Sequence, residues 1–152
     1  MFRIIGIDVG KAGAIATIDS QISLYKMPDN AGELADLLGS LAVCECHAFV
    51  EKAQAMPKNG AAGMFNYGTG YGTILGILAA LRTPHTLIHP KTWTRVMHAG
   101  TRAGTAKNRS LEAARRLFPA VNLMRTDKCS KPDEGFIDAL LIAGYGRRVI
   151  SR

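Results

Sequence analysis

The sequence predicts an α/β domain with a mixed, five-stranded sheet flanked by helices. Two observations support this fold class: short β-branched stretches alternate with segments of helical periodicity, and the first three strands follow one another without an intervening helix. The 152 residues fit one domain, 1–152, because a chain of this size buries roughly 70% of its unfolded surface. No linker, internal repeat or second domain is expected.

The N-terminal third is predicted to form three strands and a helix. Residues 2–9 are rich in β-branched side chains, and a glycine-bounded turn connects them to a second strand at 14–18, forming a hairpin. A third strand is predicted over 22–26. Asn30 is a suitable N-cap for a helix over 31–41, where leucines recur at helical spacing.

The middle of the chain begins with a short buried strand at 47–51. The stretch 53–72 is rich in glycine and contains proline, which predicts a loop, and an apolar helix of small residues follows over 73–81. Another short strand is predicted over 86–89.

The C-terminal third is predicted to be helical. A short helix opens at 91–93, and a glycine-rich basic loop covers 98–105. Residues 107–118 have amphipathic spacing that ends before a proline, and the last helix covers 135–148.

Composition narrows the class of protein. The net charge is +7, with 19 Lys and Arg against 12 Asp and Glu, which favours a polyanionic partner such as nucleic acid. No apolar stretch reaches the roughly 20 residues of a membrane span, and the N-terminus does not resemble a secretory signal. We therefore expect a cytoplasmic protein without membrane contact. Three cysteines support no disulfide framework and are expected to be free thiols: Cys44, Cys46 and Cys129.

Four acids occupy positions that folding alone does not require. Asp8 ends an apolar strand, Glu51 ends the strand "HAFVE", and Glu134 and Asp138 are four residues apart, on one helix face. Like charges at this spacing destabilise a helix, so a bound cation would explain the group. Taken singly, each acid also fits a turn or a helix-dipole role.

Carboxylate oxygens are the ligands that Mg²⁺ and Mn²⁺ prefer, and two such ions can act together on a phosphodiester. The histidines lack metal-ligand spacing. The glycine-rich stretch "NGAAGMFNYGTGYG" lacks both the Gly-Lys-Ser/Thr and the dinucleotide-binding patterns, so no nucleotide cofactor is expected.

An ordered series of motifs resembles RuvC-like Holliday junction resolvases of the RNase H-like superfamily, most closely the phage-type members. The series runs along nearly the whole chain: "IIGIDVGKAGAIA", "FVEKAQAMPKNG", "FNYGTGYG", "HPKTWTRVM", "AKNRSLEAARRLFP" and "DEGFIDALLIAGYG". The resemblance implies an RNase H-like fold and a nuclease that cuts four-way DNA junctions with two Mg²⁺ or Mn²⁺ ions per active site.

The resemblance also implies roles for individual residues. Asp8, Glu51, Glu134 and Asp138 match the metal-binding catalytic carboxylates. For the third of these, Asp133 is an alternative, although helical phase favours Glu134. Lys107 matches a lysine near the scissile phosphate, where a cation can stabilise developing charge; Lys91 is a weaker candidate of the same kind.

The resemblance further implies a homodimer that presents two active sites to a symmetric junction. Small residues such as Gly76 and Ala79 would let two helices approach closely; alternatively they face the protein's own sheet. The sequence departs from the bacterial pattern after Glu51, where an aromatic wedge is absent, leaving Met56 and Phe65 as candidates for that role.

Three other functions remain open at this stage. One is a nuclease acting on flaps, forks or structured RNA, and another is a catalytically silent DNA-binding protein. The third is a fragment of a sugar-kinase or actin-like ATPase, because "GIDVGKAG" also resembles their first phosphate loop. That fold needs two such domains, whereas this chain has room for one.

Overall fold

The computed structural model describes residues 1–54 and 60–151. Except in α2, the elements end within two residues of the sequence prediction, which is the usual uncertainty of element ends. The elements in chain order are β1 (Arg3–Asp8), β2 (Ala14–Ile18), β3 (Ile22–Lys26), α1 (Ala31–Leu41), β4 (Cys46–Glu51), α2 (Gly60–Ala80), β5 (His85–Ile88), α3 (Pro90–Met97), α4 (Ala106–Leu117) and α5 (Glu134–Ile150).

As predicted, the five strands form one mixed sheet; their order is β3-β2-β1-β4-β5. The pairs β1–β2 and β2–β3 are antiparallel, whereas β1–β4 and β4–β5 are parallel. Ile7 pairs with Val50 in the register of β1 and β4. Since these neighbouring strands run in the same direction, their C-terminal residues, Asp8 and Glu51, lie at the same edge of the sheet.

Helices cover both faces of the sheet. Side chains alternate between faces along β1, so Ile4 packs with α3, α4 and α5 on one side, while Ile5 and Ile7 pack with α1 and α2 on the other. The first of these layers contains Trp93 and most of the apolar side chains of α5. The two cores, one on each face of the sheet, hold in place the edge where β1 and β4 end with Asp8 and Glu51.

The close approach of α5 to β1 depends on Gly6. A Cβ atom at this position would meet the Ala139 carbonyl oxygen and the Ala143 amide nitrogen. Backbone atoms of a packed helix cannot yield easily, so only glycine permits this spacing. Asp138, one residue before Ala139, is thereby brought towards the end of β1.

The predicted loop over 53–72 is wrong from Gly60 onward, because Gly60–Ala80 is one helix of 21 residues. Tyr67, Tyr71, Ile74 and Leu78 pack on the core under α1 and α2, and their spacing of four, three and four residues marks one helix face. Burial of this stripe overrides the low helix propensity of the glycines. Residues 55–59 lie outside the described chain.

The small residues of α2 face solvent. Gly72, Gly76, Ala79 and Ala80 are exposed, so the alternative that they face the protein's own sheet is wrong. Phe65, a candidate wedge residue, is 75% exposed on the same helix. The other candidate, Met56, lies outside the described residues.

The cysteines are free thiols, as predicted. Cys46 is buried at the start of β4, Cys44 is partly buried, and Cys129 is exposed. Over the described ranges of the chain, no helix combines the length and the apolar character needed to cross a bilayer.

Candidate active site

Two strand ends supply the first two acids of the site. Asp8 is the last residue of β1 and Glu51 the last residue of β4; both are half-buried. The strands pair in parallel, so backbone hydrogen bonding fixes the distance between these two residues. Side chains on strands are held in position more precisely than side chains on loops.

The third acid, Asp138, extends from the buried helix α5. It is half-buried, whereas the residues on either side of it, Ile137 and Ala139, are fully in the core. The Ser110 hydroxyl of α4 lies near enough to this carboxylate to lower its pKa. Ser110 in turn lies 2.9 Å from Nε2 of the buried His98.

These three carboxyls perturb one another. Burial, followed by the charges of Asp138 and Glu51, raises the pKa of Asp8 to about 8. Burial and the charge of Glu51 raise the pKa of Asp138 to about 6, against the opposing effects of Ser110 and Lys107. Burial also raises the pKa of Glu51, although its hydrogen bond from Trp93 opposes that shift. The charges of Glu51 and Asp138 therefore act on Asp8, and the charge of Glu51 acts on Asp138, which is expected for carboxyls that lie near one another.

Asp133 and Glu134 have different surroundings at the start of α5. Asp133 is the N-cap of the helix and accepts the Phe136 amide at 2.9 Å. Its carboxylate also binds Arg125 through two hydrogen bonds of 2.6 and 2.9 Å. Burial raises the pKa of Asp133, but the Arg125 and backbone hydrogen bonds outweigh that effect and lower it.

Glu134 is largely exposed, and its Oε1 lies 2.8 Å from Nζ of Lys107. This ion pair raises the pKa of Lys107, and the charge of Asp138 adds to the shift. The structure thus brings Lys107, predicted from the resemblance, to the acids at the start of α5. Lys91 is exposed in the first turn of α3.

Sequence reasoning missed two polar side chains beside the acids, Trp93 and Ser110, and a third, His98, that contacts Ser110. The indole N–H of Trp93 donates to Oε2 of Glu51 at 2.6 Å, and its ring is buried in the core. Ser110 and His98 were not singled out for contact with Asp138. Two signals could have revealed Ser110 and Trp93: a serine on the buried face of an amphipathic helix, and an indole N–H that needs a partner.

A basic groove lies along the outer face of α4. The guanidinium groups of Arg109 and Arg116 are held by the carbonyl oxygens of His98 and Ala99, and Glu112 pairs with Arg102 at 3.4 Å. Besides these side chains, Arg115 lines the groove. We call this surface, lined by Arg102, Arg109, Arg115 and Arg116, the arginine groove.

The donor chemistry of the site fits a hard divalent cation. Within residues 1–54 and 60–151, no three His, Cys, Asp or Glu side chains stand close enough to share one ion. Mg²⁺ does not require such a cage, because it is usually held by one or two carboxylates and completes its octahedron with waters and substrate oxygens. Asp8, Glu51 and Asp138 offer carboxylate oxygens whose mutual repulsion a cation would relieve.

No protein-family model and no curated protein matches the sequence. The structure, in contrast, matches solved structures over almost its whole length. RuvC of Thermus thermophilus in complex with a Holliday junction substrate has a TM-score of 0.59 and 14% identity, with 99% of this chain and 98% of that chain covered. A second Thermus thermophilus RuvC structure has a TM-score of 0.59 and 12% identity, with 97% and 96% covered. The chain therefore has the RNase H-like fold of RuvC.

Proposed function

We propose that this protein is a divalent-metal-dependent DNA endonuclease that resolves Holliday junctions by paired phosphodiester hydrolysis. The single observation that supports it most is the convergence of Asp8, Glu51 and Asp138 from β1, β4 and α5 at one edge of a RuvC-type sheet. Three mutually repelling carboxyls destabilise the protein unless a cation or another group compensates them.

Asp8, Glu51, Glu134 and Asp138 are the proposed metal ligands, with two Mg²⁺ or Mn²⁺ ions per site. Such ions, when bound, activate a water and stabilise the leaving oxygen of a phosphodiester. The engagement of Asp133 with Arg125 and the helix amides supports Glu134 over Asp133 as the third ligand.

Lys107 is proposed to neutralise charge on the scissile phosphate. Its ammonium already lies beside a carboxylate of the site, 2.8 Å from Glu134. An exposed lysine on the first turn of α4 can reach a phosphate that enters the site, because it carries a flexible four-carbon stem. A preorganised cation at this position stabilises charge that develops in the transition state.

The proposed substrate is branched DNA, especially a four-way junction. The matched Thermus thermophilus RuvC was solved with a Holliday junction substrate, and the net charge of +7 suits a polyanion. The arginine groove offers guanidinium groups to the sugar-phosphate backbone of a DNA arm. We place the reaction inside the cell, where such DNA occurs, and assign it to one nuclease domain, 1–152.

A homodimer is proposed because a junction has two strands to cut. The exposed side of α2 carries Phe65, Gly72, Gly76 and Ala79, where a second helix could pack closely. No Cβ contact lies within 4 Å of Gly72 or Gly76, so this surface is open in the single chain. A two-fold axis across α2 would give two equivalent active sites.

The experiment that tests the proposal compares substrates with the wild-type protein. End-labelled four-way junction, flap, fork, linear duplex and structured RNA are incubated with Mg²⁺, Mn²⁺ or EDTA, and the nicks are mapped on denaturing gels. We expect paired, metal-dependent nicks in opposite strands of the junction and none in duplex. Equal cutting of flaps or RNA would overturn junction specificity, and tight binding without cutting in either metal would overturn the assignment as an enzyme.

A further inference from the structure

The indole of Trp93 restrains one of the proposed metal ligands. Trp93 is 3% exposed, and its N–H donates to Oε2 of Glu51 at 2.6 Å across 42 residues of sequence. An indole nitrogen is only a donor, so this bond occupies one carboxylate oxygen in a defined direction. Among the residues that the structure describes, none forms a hydrogen bond with the other oxygen of Glu51.

A second buried chain of polar groups ends at Asp138. His98 and Ser110 are 5% and 6% exposed, and Nε2 of His98 lies 2.9 Å from Oγ of Ser110. Ser110 also acts on the pKa of Asp138; because an ionised carboxylate only accepts, a Ser110 hydroxyl that donates to Asp138 accepts from His98. This direction requires the Nε2–H tautomer of His98.

The two restraints belong to one packed unit. The rings of Trp93 and His98 meet edge to face, with centroids 6.0 Å apart. Arg109 of α4 donates to the His98 carbonyl oxygen and to Oγ1 of Thr101, which ties the end of α3 to α4. Trp93, His98 and Ser110 therefore cannot reorient independently.

We propose that the α3–α4 unit positions the metal-binding carboxylates, with Trp93 fixing Glu51 and the His98–Ser110 pair fixing Asp138. The inference rests on the proposed function and deepens it by naming three positioning residues. Buried polar groups usually bond to backbone or to water, whereas both of these chains end on acids of the site. Groups that orient metal ligands typically alter metal affinity or activity 10- to 100-fold when removed.

The test uses two variants that remove one donor each: Trp93→Phe, which keeps an aromatic ring, and Ser110→Ala, which keeps side-chain size nearly constant. Mn²⁺ affinity is measured by calorimetry on the DNA-free protein, and kcat and KM are measured on a labelled junction. We expect about 10- to 100-fold weaker Mn²⁺ binding and a similar loss of kcat, with junction KM within twofold. Thr94→Ala is the matched control, because it removes a hydroxyl bond to the Pro90 carbonyl on the same helix without touching an acid.

A measurement on the metal-free protein distinguishes a loss of carboxylate positioning from a general loss of protein stability. The ¹⁵N shifts of His98 should report the Nε2–H tautomer in the wild type and change in Ser110→Ala, while Thr94→Ala leaves them unchanged. Ser110→Thr keeps the hydroxyl and should restore Mn²⁺ affinity to within a few-fold of wild type. Circular dichroism confirms that each variant is folded before it is used.

Failure of the inference and failure of the proposed function give different results. If the wild type cuts junctions and both donor-deletion variants bind Mn²⁺ and cut as it does, the positioning role is overturned and the nuclease stands. If the wild type cuts no DNA but both variants still weaken Mn²⁺ binding, the positioning role stands and the nuclease is overturned.

Discussion

The Asp8 carboxyl lies where burial and two negative neighbours oppose its ionisation, which raises its pKa to about 8. The unfolded chain would ionise the same group near a pKa of about 3.9. Between these values the folded, metal-free protein holds a proton that the unfolded chain has released. The protonated Asp8 carboxyl therefore contributes to the free energy of unfolding. This contribution is fully present below the pKa of the unfolded chain and is lost as the pH rises through the folded pKa of about 8.

The pH dependence of metal-free stability follows from this sign. In EDTA, the free energy of unfolding of the wild type should fall from pH 5 to pH 8, with a contribution from Asp8 that approaches about 1.4 kcal/mol per pH unit. Asp8→Asn cannot ionise, so its curve should be flatter and its stability higher at pH 8. Urea titrations at several pH values measure this.

Asp36→Asn, which removes an exposed acid on α1, serves as the control and should follow the wild type. Saturating Mg²⁺ at pH 8 should raise the free energy of unfolding of the wild type, because a cation compensates the ionised carboxylates. The same addition should raise that of Asp8→Asn much less. Parallel curves for the wild type and Asp8→Asn in EDTA would contradict the electrostatic account of Asp8.

At the scale of elements, Gly6 and Gly72 differ in what surrounds them. Gly6 is required by the approach of α5 to β1, because an added Cβ would meet backbone atoms of Ala139 and Ala143. Gly72, on the exposed face of α2, has no atom within 4 Å of an added Cβ. Its conformational freedom only destabilises the helix.

Alanine substitutions should therefore have opposite effects at the two sites. We expect Gly72→Ala to stabilise the protein by about 0.5–1 kcal/mol, and Gly6→Ala to destabilise it by about 1–3 kcal/mol. Thermal unfolding of both variants against the wild type, at a concentration where each is monomeric, measures the difference. Equal destabilisation by both would mean that α2 is not helical at Gly72.

How much the sequence revealed differs between elements for physical reasons. The strands and α5 were predictable, because their apolar patterns and their packing point to the same structure. For α2, the glycines predicted a loop, and the stripe of Tyr67, Tyr71, Ile74 and Leu78 that overrides them becomes decisive only when its packing partners in α1 and the sheet are known. Propensity is local, whereas this helix is stabilised by tertiary contacts.

The site shows the same limit. Asp8, Glu51 and Asp138 were singled out as acids at the ends of strands and on a buried helix, and in the structure the charges of Glu51 and Asp138 act on Asp8; their role as metal ligands remains a proposal. The partnership of Trp93 with Glu51 joins residues 42 positions apart, and nothing in the spacing of a single sequence encodes it. The role of Asp133 as a helix cap bound to Arg125 likewise depended on the fold.

At the scale of the whole molecule, the proposed dimer should determine how the protein cuts. Sedimentation equilibrium of the wild type should give twice the chain mass of 16.3 kDa. Gly76→Lys places a long charged side chain on the exposed face of α2, and it should sediment near 16.3 kDa and cut one strand of a junction without the paired second cut.

Ser20→Lys changes an exposed residue of the β2–β3 turn by the same charge, and should leave both mass and paired cutting unchanged. A wild type that remains monomeric at micromolar concentration, with or without junction DNA, would refute the dimer.

The most direct test of the central claim is single-turnover cleavage of a four-way junction by Asp138→Asn beside Asp36→Asn. Asn is nearly the same size as Asp but has no charge to offer a cation, so the fold and the junction affinity measured in EDTA should persist. We expect Asp138→Asn to cut at least about 10³-fold more slowly in Mg²⁺ than Asp36→Asn, which should match the wild type. Cleavage by Asp138→Asn at the wild-type rate would contradict the assignment of these acids as the catalytic centre.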